Sequence, residues 1–192
     1  YQIKKNHINH YKLKLVILNG IIYDIIMDQV QFMNNNWNFE NSYLALPKIF
    51  HSSTRPENFK NLKVILKNKS LLKLLSFQEE KFENLIINSI NSKHIKYFSQ
   101  AYAGHQFGHF TILGDGRVTF LGEHINKNNE RFDIQLKGSG KTPYSRNGDG
   151  KGTLKSMLRE YIISEAMYYL NIKTTRSLAI LKTGEKIFRT TF

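Results

Sequence analysis

Cysteine is absent from this 192-residue chain, and proline occurs only three times. The absence of cysteine excludes disulfide bonds, thiolate metal sites and a cysteine nucleophile, so a reducing compartment is permitted but not required. The seven histidines do not show the HExxH spacing of zinc enzymes, and His105 and His109 lie in a glycine-punctuated stretch that we do not expect to be helical. We therefore expect no zinc site.

Long hydrophobic runs are also missing. The most apolar stretch, LVILNGIIYDIIM, is interrupted by Asn19, Gly20 and Asp24, so it is too short and too polar to span a bilayer, and we expect no transmembrane segment. The residues before Asp24 contain lysines but no acid, which would suit a basic leader, although they show no cleavage signal. Because the chain begins with Tyr1, we expect its amino end to be incomplete or not native.

Acidic residues are scarce. The chain has 28 Lys and Arg against 15 Asp and Glu, which gives a formal net charge of +13. Clustered basic residues bind nucleic-acid phosphates, but lysine greatly outnumbers arginine, and asparagine and isoleucine are abundant throughout, which indicates a coding bias without selection for a partner. In either case a basic chain suits a ligand that carries phosphate. The composition, with 41% hydrophobic and 22% charged residues, is that of a folded globular protein.

The chain divides into three segments by composition. Residues 1–36 form a poorly defined appendage that ends in a cluster of asparagines, and residues 37–102 form an amino-terminal extension. We expect this extension to be largely helical, because apolar residues follow a helical spacing between Asn58 and Phe77 and again at Phe82, Ile86, Ile87 and Ile90. Residues 103–192 contain all but one of the glycines, and the candidate site lies there.

Strand signals begin after Ala103. The stretches HFTIL, VTFLGEHI and RFDIQLK are separated by the turns GDGR and NKNNE, so they predict an antiparallel β-meander of three strands. Lys137 ends the third strand on its polar face. After Gly150 apolar residues recur at helical spacing, with Thr153 as a candidate start, and TRSLAILKTGEKIFRTTF predicts strand, turn and strand. The fold class is therefore α+β, with a mainly antiparallel sheet.

The glycine turn GDGR is the first candidate for chemistry. Its glycines allow the backbone to expose consecutive N–H groups as a concave anion site, although a plain hairpin turn would have the same sequence. Lys137 follows the turn by about twenty residues, at the end of a strand, which is where protein kinases place the lysine that holds nucleotide phosphates.

A kinase lysine generally has a carboxylate partner on the following helix, and two glutamates are available. Glu165 falls near the middle of the apolar stripe of the predicted helix, whereas Glu160 lies outside its edge. A buried glutamate without a cation is costly, so Glu165 must find a donor if the helix packs on this stripe. The periodicity leaves the partner of Lys137 open between the two.

The linker GSGKTPYSRNGDGKG joins Lys137 to this helix. It is not a Walker loop, because Gln135 occupies the position that should hold the first glycine of GxxxxGK[ST], and because such a loop follows a parallel strand. Its glycines, its basic residues Lys141, Arg146 and Lys151, and the helix amino terminus that follows predict a loop that grips phosphate.

Several long motifs together resemble the selenoprotein O family, kinase-fold protein adenylyltransferases that include the bacterial YdiU proteins. These motifs are FENSYLALP, YAGHQFGHF, LGDGR, LGE, QLKGSGKTPYSRNGDG, LREYIISEAM and TTRSLAI, and the likeness extends from about Phe39 to the end of the chain. The resemblance implies the amino-terminal lobe of a protein-kinase-like fold. It also implies an enzyme that binds ATP in an inverted pose and transfers AMP, or UMP from UTP, to hydroxyl side chains of proteins.

The same resemblance assigns residues and partners. It places Gly114, Gly116, Arg117, Lys137, Asp149 and Gly150 on the nucleotide, and it aligns Glu160, rather than Glu165, with the partner of the lysine. Mg²⁺ or Mn²⁺ is implied, but the metal ligands, the aspartate base and two further arginines correspond to positions beyond Phe192. We therefore expect no catalytic or metal-ligating residue within this chain, and no transfer by the chain alone.

Partners and location follow from the resemblance as expectations. The partners are a nucleotide and proteins with hydroxyl side chains, with no nucleic acid and no membrane, in the cytoplasm of a bacterium or the mitochondrion of a eukaryote. Two other hypotheses stay open. One is an inactive nucleotide-binding or scaffold fragment, and the other is a basic nucleic-acid-binding module, for which the chain shows no recognition signature.

Overall fold

The computed structural model describes residues 37–106 and 108–187, so the predicted appendage lies outside the described residues. The strands of this part are, in chain order, β1 (Phe39–Glu40), β2 (His51–Ser53), β3 (Lys63–Lys67), β4 (Phe98–Gln106), β5 (His109–Gly114), β6 (Val118–Ile125), β7 (Arg131–Lys137) and β8 (Ala179–Lys182). Its helices are α1 (Lys69–Leu74), α2 (Glu79–Ile90) and α3 (Leu154–Tyr169), with short 3-10 turns at Ser42–Ala45 and Lys48–Phe50. The predicted α+β class with antiparallel sheets is confirmed.

Six strands form the main sheet around β6. Strand β7 pairs with β6 along its whole length, from Val118 opposite Lys137 to Ile125 opposite Arg131, as the NKNNE turn predicts. The predicted meander is wrong at its first strand, because β5 pairs with β4 and not with β6. The physical reason lies at Asp115, whose N–H and carboxylate both bond to Gln100 of β4 and so fix the turn to that strand.

The extension 37–102 contributes strands as well as helices. The helix predicted around Phe82 and Ile86 is α2, but residues 63–67, which follow a helical spacing in the sequence, form strand β3 and pair with β8. Val64 alone of this strand is buried, and its neighbours Ile65 and Leu66 are exposed, so the apolar spacing does not mark a buried helical face. Strands β1 and β2 and the start of β4 also come from this segment, which is less helical than the sequence predicts.

The core fixes the position of the glycine turn. Helices α1 and α2 cover one face of the main sheet, where Phe82 packs in one buried cluster with Leu121 and Ile134. Phe98 and Phe120 stack on one another in a second cluster. Strand β6 is buried from Val118 to His124, so the turn that precedes it is held beside the end of β7.

Helix α3 begins where the sequence predicts. The Thr153 side chain accepts a hydrogen bond from the Ser156 N–H and caps the helix. The expected packing on an apolar stripe is not found, because Ser164 is the only buried residue of α3 and Ile162 and Ile163 are exposed. Strand β8 follows, and the predicted turn at Gly184 is not followed by a strand as far as Ile187.

None of the helices in the described residues is long and apolar enough to span a membrane.

Candidate functional site

A cleft of about 960 Å³ lies between the glycine turn and the distal part of the linker. Its lining includes five residues that the family resemblance places on a nucleotide: Gly114, Gly116, Arg117, Asp149 and Gly150. These residues come from two segments some thirty residues apart in the chain, and the fold brings them together. Apolar side chains of β4 and β5, Tyr102, Ile112 and Leu113, line the same cleft.

Lys137 and Glu160 contact one another beside this cleft. Lys137 Nζ donates a hydrogen bond to Glu160 Oε1 at 2.6 Å, and both side chains are partly exposed. The two residues line a smaller cavity of about 190 Å³ rather than the main cleft. The register of β6 and β7 nevertheless sets Lys137 opposite Val118, directly after the glycine turn. The backbone of Lys137 therefore lies next to the turn, and Glu160 holds its ammonium group.

Glu165 has a different partner. Arg176 Nε donates to Glu165 Oε1 at 2.9 Å, and Arg176 Nη2 donates to Oε2 at 2.5 Å. Both side chains are largely buried, with 13% and 14% of their surface exposed, and the guanidinium stacks on the Tyr168 ring. The donor that Glu165 requires is therefore Arg176, and Glu160 is the glutamate that contacts Lys137.

The two glutamates of α3 should differ in their effect on stability. We expect Glu165→Gln to lower the free energy of unfolding by about 2 kcal/mol, because it weakens a charged, largely buried pair of hydrogen bonds. Glu160→Gln should cost less than about 1 kcal/mol, because its ion pair is exposed to solvent. Urea unfolding of both variants measures the difference, and equal losses would contradict it.

The Glu165 pair also predicts a pH dependence. Hydrogen bonds from Arg176 hold the pKa of Glu165 below its ordinary value of 4.5. This contribution to stability is present above pH 4.5 and is lost as the pH falls through the lower pKa of the folded state.

The glycine turn does not expose consecutive amides. The Asp115 N–H donates to the Gln100 carbonyl at 2.9 Å, and the Gly116 N–H donates to the Gly114 carbonyl at 2.8 Å. Of the two alternatives that the GDGR sequence leaves open, an exposed amide site and a plain turn, the bonds of these two N–H groups fit the plain turn. Burial raises the pKa of the Asp115 carboxyl, while the Gln100 N–H and the Lys137 charge act against this. Arg117 is the basic side chain that this turn contributes to the cleft.

The linker folds back on itself as a narrow hairpin. Ser139 pairs with Lys151, and the Gly140 N–H donates to the Gly150 carbonyl at 3.4 Å. Gly150 has a φ of +68°, and a Cβ added there would lie 1.9 Å from the Gly140 carbonyl oxygen. Only glycine fits this position.

Lys151 holds the base of this hairpin. Its Nζ lies 2.8 Å from a carboxylate oxygen of Glu57 and 2.8 Å from one of Glu185. The hydrogen bonds that Lys151 donates to Glu185 and Glu57 raise the pKa of Lys151 above its ordinary value. The loop sequence predicts that Lys151 grips phosphate, but in the structure its charge is already matched by two carboxylates. Its contacts are those of a residue that stabilises the loop.

Three residues of the linker that are not among the predicted site residues hold the glycine turn in place. Thr142 Oγ1 donates to the Asp115 carbonyl and Ser145 Oγ donates to the Gly116 carbonyl, each at 2.6 Å. The ring of Tyr144 packs on Gly114, where an added Cβ would lie 2.3 Å from a ring carbon. Hydroxyl and aromatic residues around a proline carry no periodic signal, and their partners lie about thirty residues earlier in the chain.

In the described ranges 37–106 and 108–187, no group of three or more histidine, aspartate or glutamate side chains is placed to hold a metal ion.

Comparison with known proteins identifies the family. A model of the family described as protein adenylyltransferase SelO matches residues 33–191. The chain is 52% identical to the protein nucleotidyltransferase YdiU of Clostridium perfringens over 86% of its own length and 35% of the relative. It is 51% identical to that of Pelagibacter ubique, over 82% of the chain and 34% of the relative. For the relative from Clostridium botulinum the identity is 54%, over 80% of the chain and 32% of the relative.

The chain thus spans about a third of the length of the curated relatives it matches. The family model, in contrast, covers 159 of the 192 residues, including both sides of the cleft and the Lys137–Glu160 pair. This chain belongs to the protein adenylyltransferase SelO family.

Proposed function

We propose that this chain forms the nucleotide-binding part of a protein adenylyltransferase, which transfers AMP from ATP, or UMP from UTP, to serine, threonine or tyrosine hydroxyls of proteins. The observation that carries the proposal is the cleft itself, which gathers Gly114, Gly116, Arg117, Asp149 and Gly150 from two distant segments. The relatives named protein nucleotidyltransferase support the reaction class.

The size and charge of the cleft support a nucleotide as its ligand. Its volume of about 960 Å³ is at the upper end of the range for small-molecule sites. Arg117 in the cleft and Lys137 beside it supply positive charge, and the carboxylate of Glu160 orients the lysine. The phosphates would contact these cations, and Asp149 and Gly150 would contact the nucleotide from the opposite segment.

The kinase-like description of the fold is part of the same proposal. A lysine at the end of a strand, paired with a glutamate on the following helix, is the arrangement by which kinases hold nucleotide phosphates. A catalytic base and the ligands of Mg²⁺ or Mn²⁺ would come from outside this chain. We therefore expect the chain alone to bind a nucleotide without transferring it.

The proposed partners are the nucleotide and the protein substrates, with no nucleic acid and no membrane. The net charge of +13 favours nucleic acid as a second candidate. Tight duplex binding that weakens steeply with salt, together with no binding of ATP or UTP, would favour that candidate.

The position of a radioactive label in ATP distinguishes adenylyl transfer from phosphoryl transfer. In a chimera, residues 33–191 replace the matching third of the Clostridium perfringens relative, and the purified protein is incubated with ATP labelled at the α or the γ phosphate. Adenylyl transfer leaves the α label on protein and releases the γ label with pyrophosphate. Label retained from the γ position alone would show phosphoryl transfer and contradict the proposal. The unmodified relative serves as the control for a functional chimera.

A further inference from the structure

The glycine turn and the linker are joined by side-chain hydrogen bonds and by an aromatic contact. The Thr142 and Ser145 hydroxyls donate to the two successive carbonyls of the turn, those of Asp115 and Gly116. Both hydroxyls also accept backbone hydrogen bonds within the linker, Ser145 Oγ from the Thr142 N–H at 2.7 Å and Thr142 Oγ1 from the Tyr144 N–H at 3.1 Å. The same two hydroxyl groups therefore stabilise the backbone of the linker and bind the glycine turn.

Tyr144 makes the third connection. Its ring fills the space beside Gly114, and its hydroxyl shares a hydrogen bond of 2.9 Å with Ser52 Oγ of β2. A Cβ on Gly116 would lie 3.0 Å from the Tyr144 carbonyl oxygen. An added Cβ would thus overlap the Tyr144 ring at Gly114 and would crowd the Tyr144 carbonyl at Gly116, so the linker packs closely on both glycines of the GDG sequence.

We propose that Thr142, Tyr144 and Ser145 are positioning residues that set the separation between the two walls of the cleft. One wall carries Gly116 and Arg117, and the other carries Asp149 and Gly150. The three residues act through the turn and do not need to contact the ligand. This proposal rests on the proposed function, because it concerns the same nucleotide cleft.

The physical reason is preorganisation. The two carbonyls of the turn accept hydrogen bonds from hydroxyls of the linker, and the Tyr144 ring contacts the backbone of the turn. These contacts restrict the turn to one arrangement relative to the linker. When a ligand that contacts both walls binds, the protein then loses less conformational freedom. Without the hydroxyls the turn remains attached to β4 through Asp115 and Gln100, but its position relative to Asp149 is no longer fixed.

The first test removes the hydroxyls without changing the volume greatly. In the full chain, Thr142→Val combined with Ser145→Ala should raise the Kd for ATP at least about tenfold while the protein stays folded by circular dichroism. The matched control is Thr142→Ser, which keeps the hydroxyl and should stay within about twofold of wild type. An unchanged Kd in the folded double variant, or an equal loss in Thr142→Ser, would overturn the positioning role.

A double-mutant cycle tests the contact with Gly114. Gly114→Ala should raise the Kd for ATP about tenfold in the wild type, but less than about threefold in the Tyr144→Ala background, where the ring is gone. Equal effects in both backgrounds would overturn the role of Tyr144 and would indicate that Gly114 acts on the ligand directly.

The outcomes separate the two proposals. Loss of affinity in Lys137→Ala with no loss in the hydroxyl variants would reject the positioning role and leave the proposed function standing. A wild-type chain that binds neither ATP nor UTP would reject both.

Discussion

Replacement of Lys137 by alanine should abolish nucleotide labelling. We expect the α label transferred by the chimera to fall at least about 100-fold, since the ammonium group is the cation that Glu160 holds beside the cleft. The fold should remain intact, because the ion pair is partly exposed and contributes less than about 1 kcal/mol. Initial rates of labelling and thermal unfolding of the same preparation measure both effects.

Lys141→Ala is the matched control for Lys137→Ala. The loop sequence predicts Lys141 among the residues that grip phosphate, but the structure places it at an exposed position outside the cleft lining. Its replacement removes the same charge four residues further along the chain. Labelling by this variant should stay within about threefold of wild type, the loss expected of a remote charge. Equal losses in the two variants would show an effect of overall charge and would reject the role given to Lys137.

Alanine at Gly150 should disrupt the linker. The φ of +68° costs an alanine about 1–2 kcal/mol. The Cβ overlaps the Gly140 carbonyl, only 1.9 Å away, so the backbone of the hairpin must also move. We expect a total loss of about 2–5 kcal/mol from the hairpin, measured as faster hydrogen exchange at the Gly140 and Gly152 amides and as weaker nucleotide binding.

Gly148→Ala tests whether the loss of stability is specific to position 150 or follows from replacing any glycine of the linker. Gly148 lines the same cleft, but its φ is not in the left-handed region, and a Cβ there would lie 3.2 Å from the Ser145 carbonyl oxygen. The stability loss should be within about 1 kcal/mol. If Gly148→Ala and Gly150→Ala increased hydrogen exchange equally, the close approach at Gly150 would not explain the effect.

Sequence patterns within a single strand or helix predict those site residues whose position depends on that element alone. Lys137 ends a strand because the alternation of RFDIQLK continues to that residue, and Thr153 caps a helix because its side chain reaches the first turn. The requirement that Glu165 find a donor also follows from the sequence, although its donor, Arg176, does not. Alignment with the family motif, rather than periodicity, selects Glu160 as the contact of Lys137.

Pairing between distant segments accounts for most of what the sequence did not predict. Strand β5 has glycines near both of its ends, and its alternation does not specify that it pairs with β4, from Ala101 opposite Gly114 to Gln106 opposite His109. Lys151 has the charge of a phosphate ligand, but Glu57 and Glu185 approach it from far along the chain. Composition and spacing carry no information on such contacts.

Titration of the full chain with radiolabelled ATP in equilibrium dialysis is the decisive measurement. We predict one saturable site in which UTP competes with ATP and duplex DNA does not, with binding lost in Lys137→Ala and kept in Lys141→Ala. Absence of saturable binding, or equal binding by wild type and Lys137→Ala, would contradict the assignment of the cleft and of its lysine.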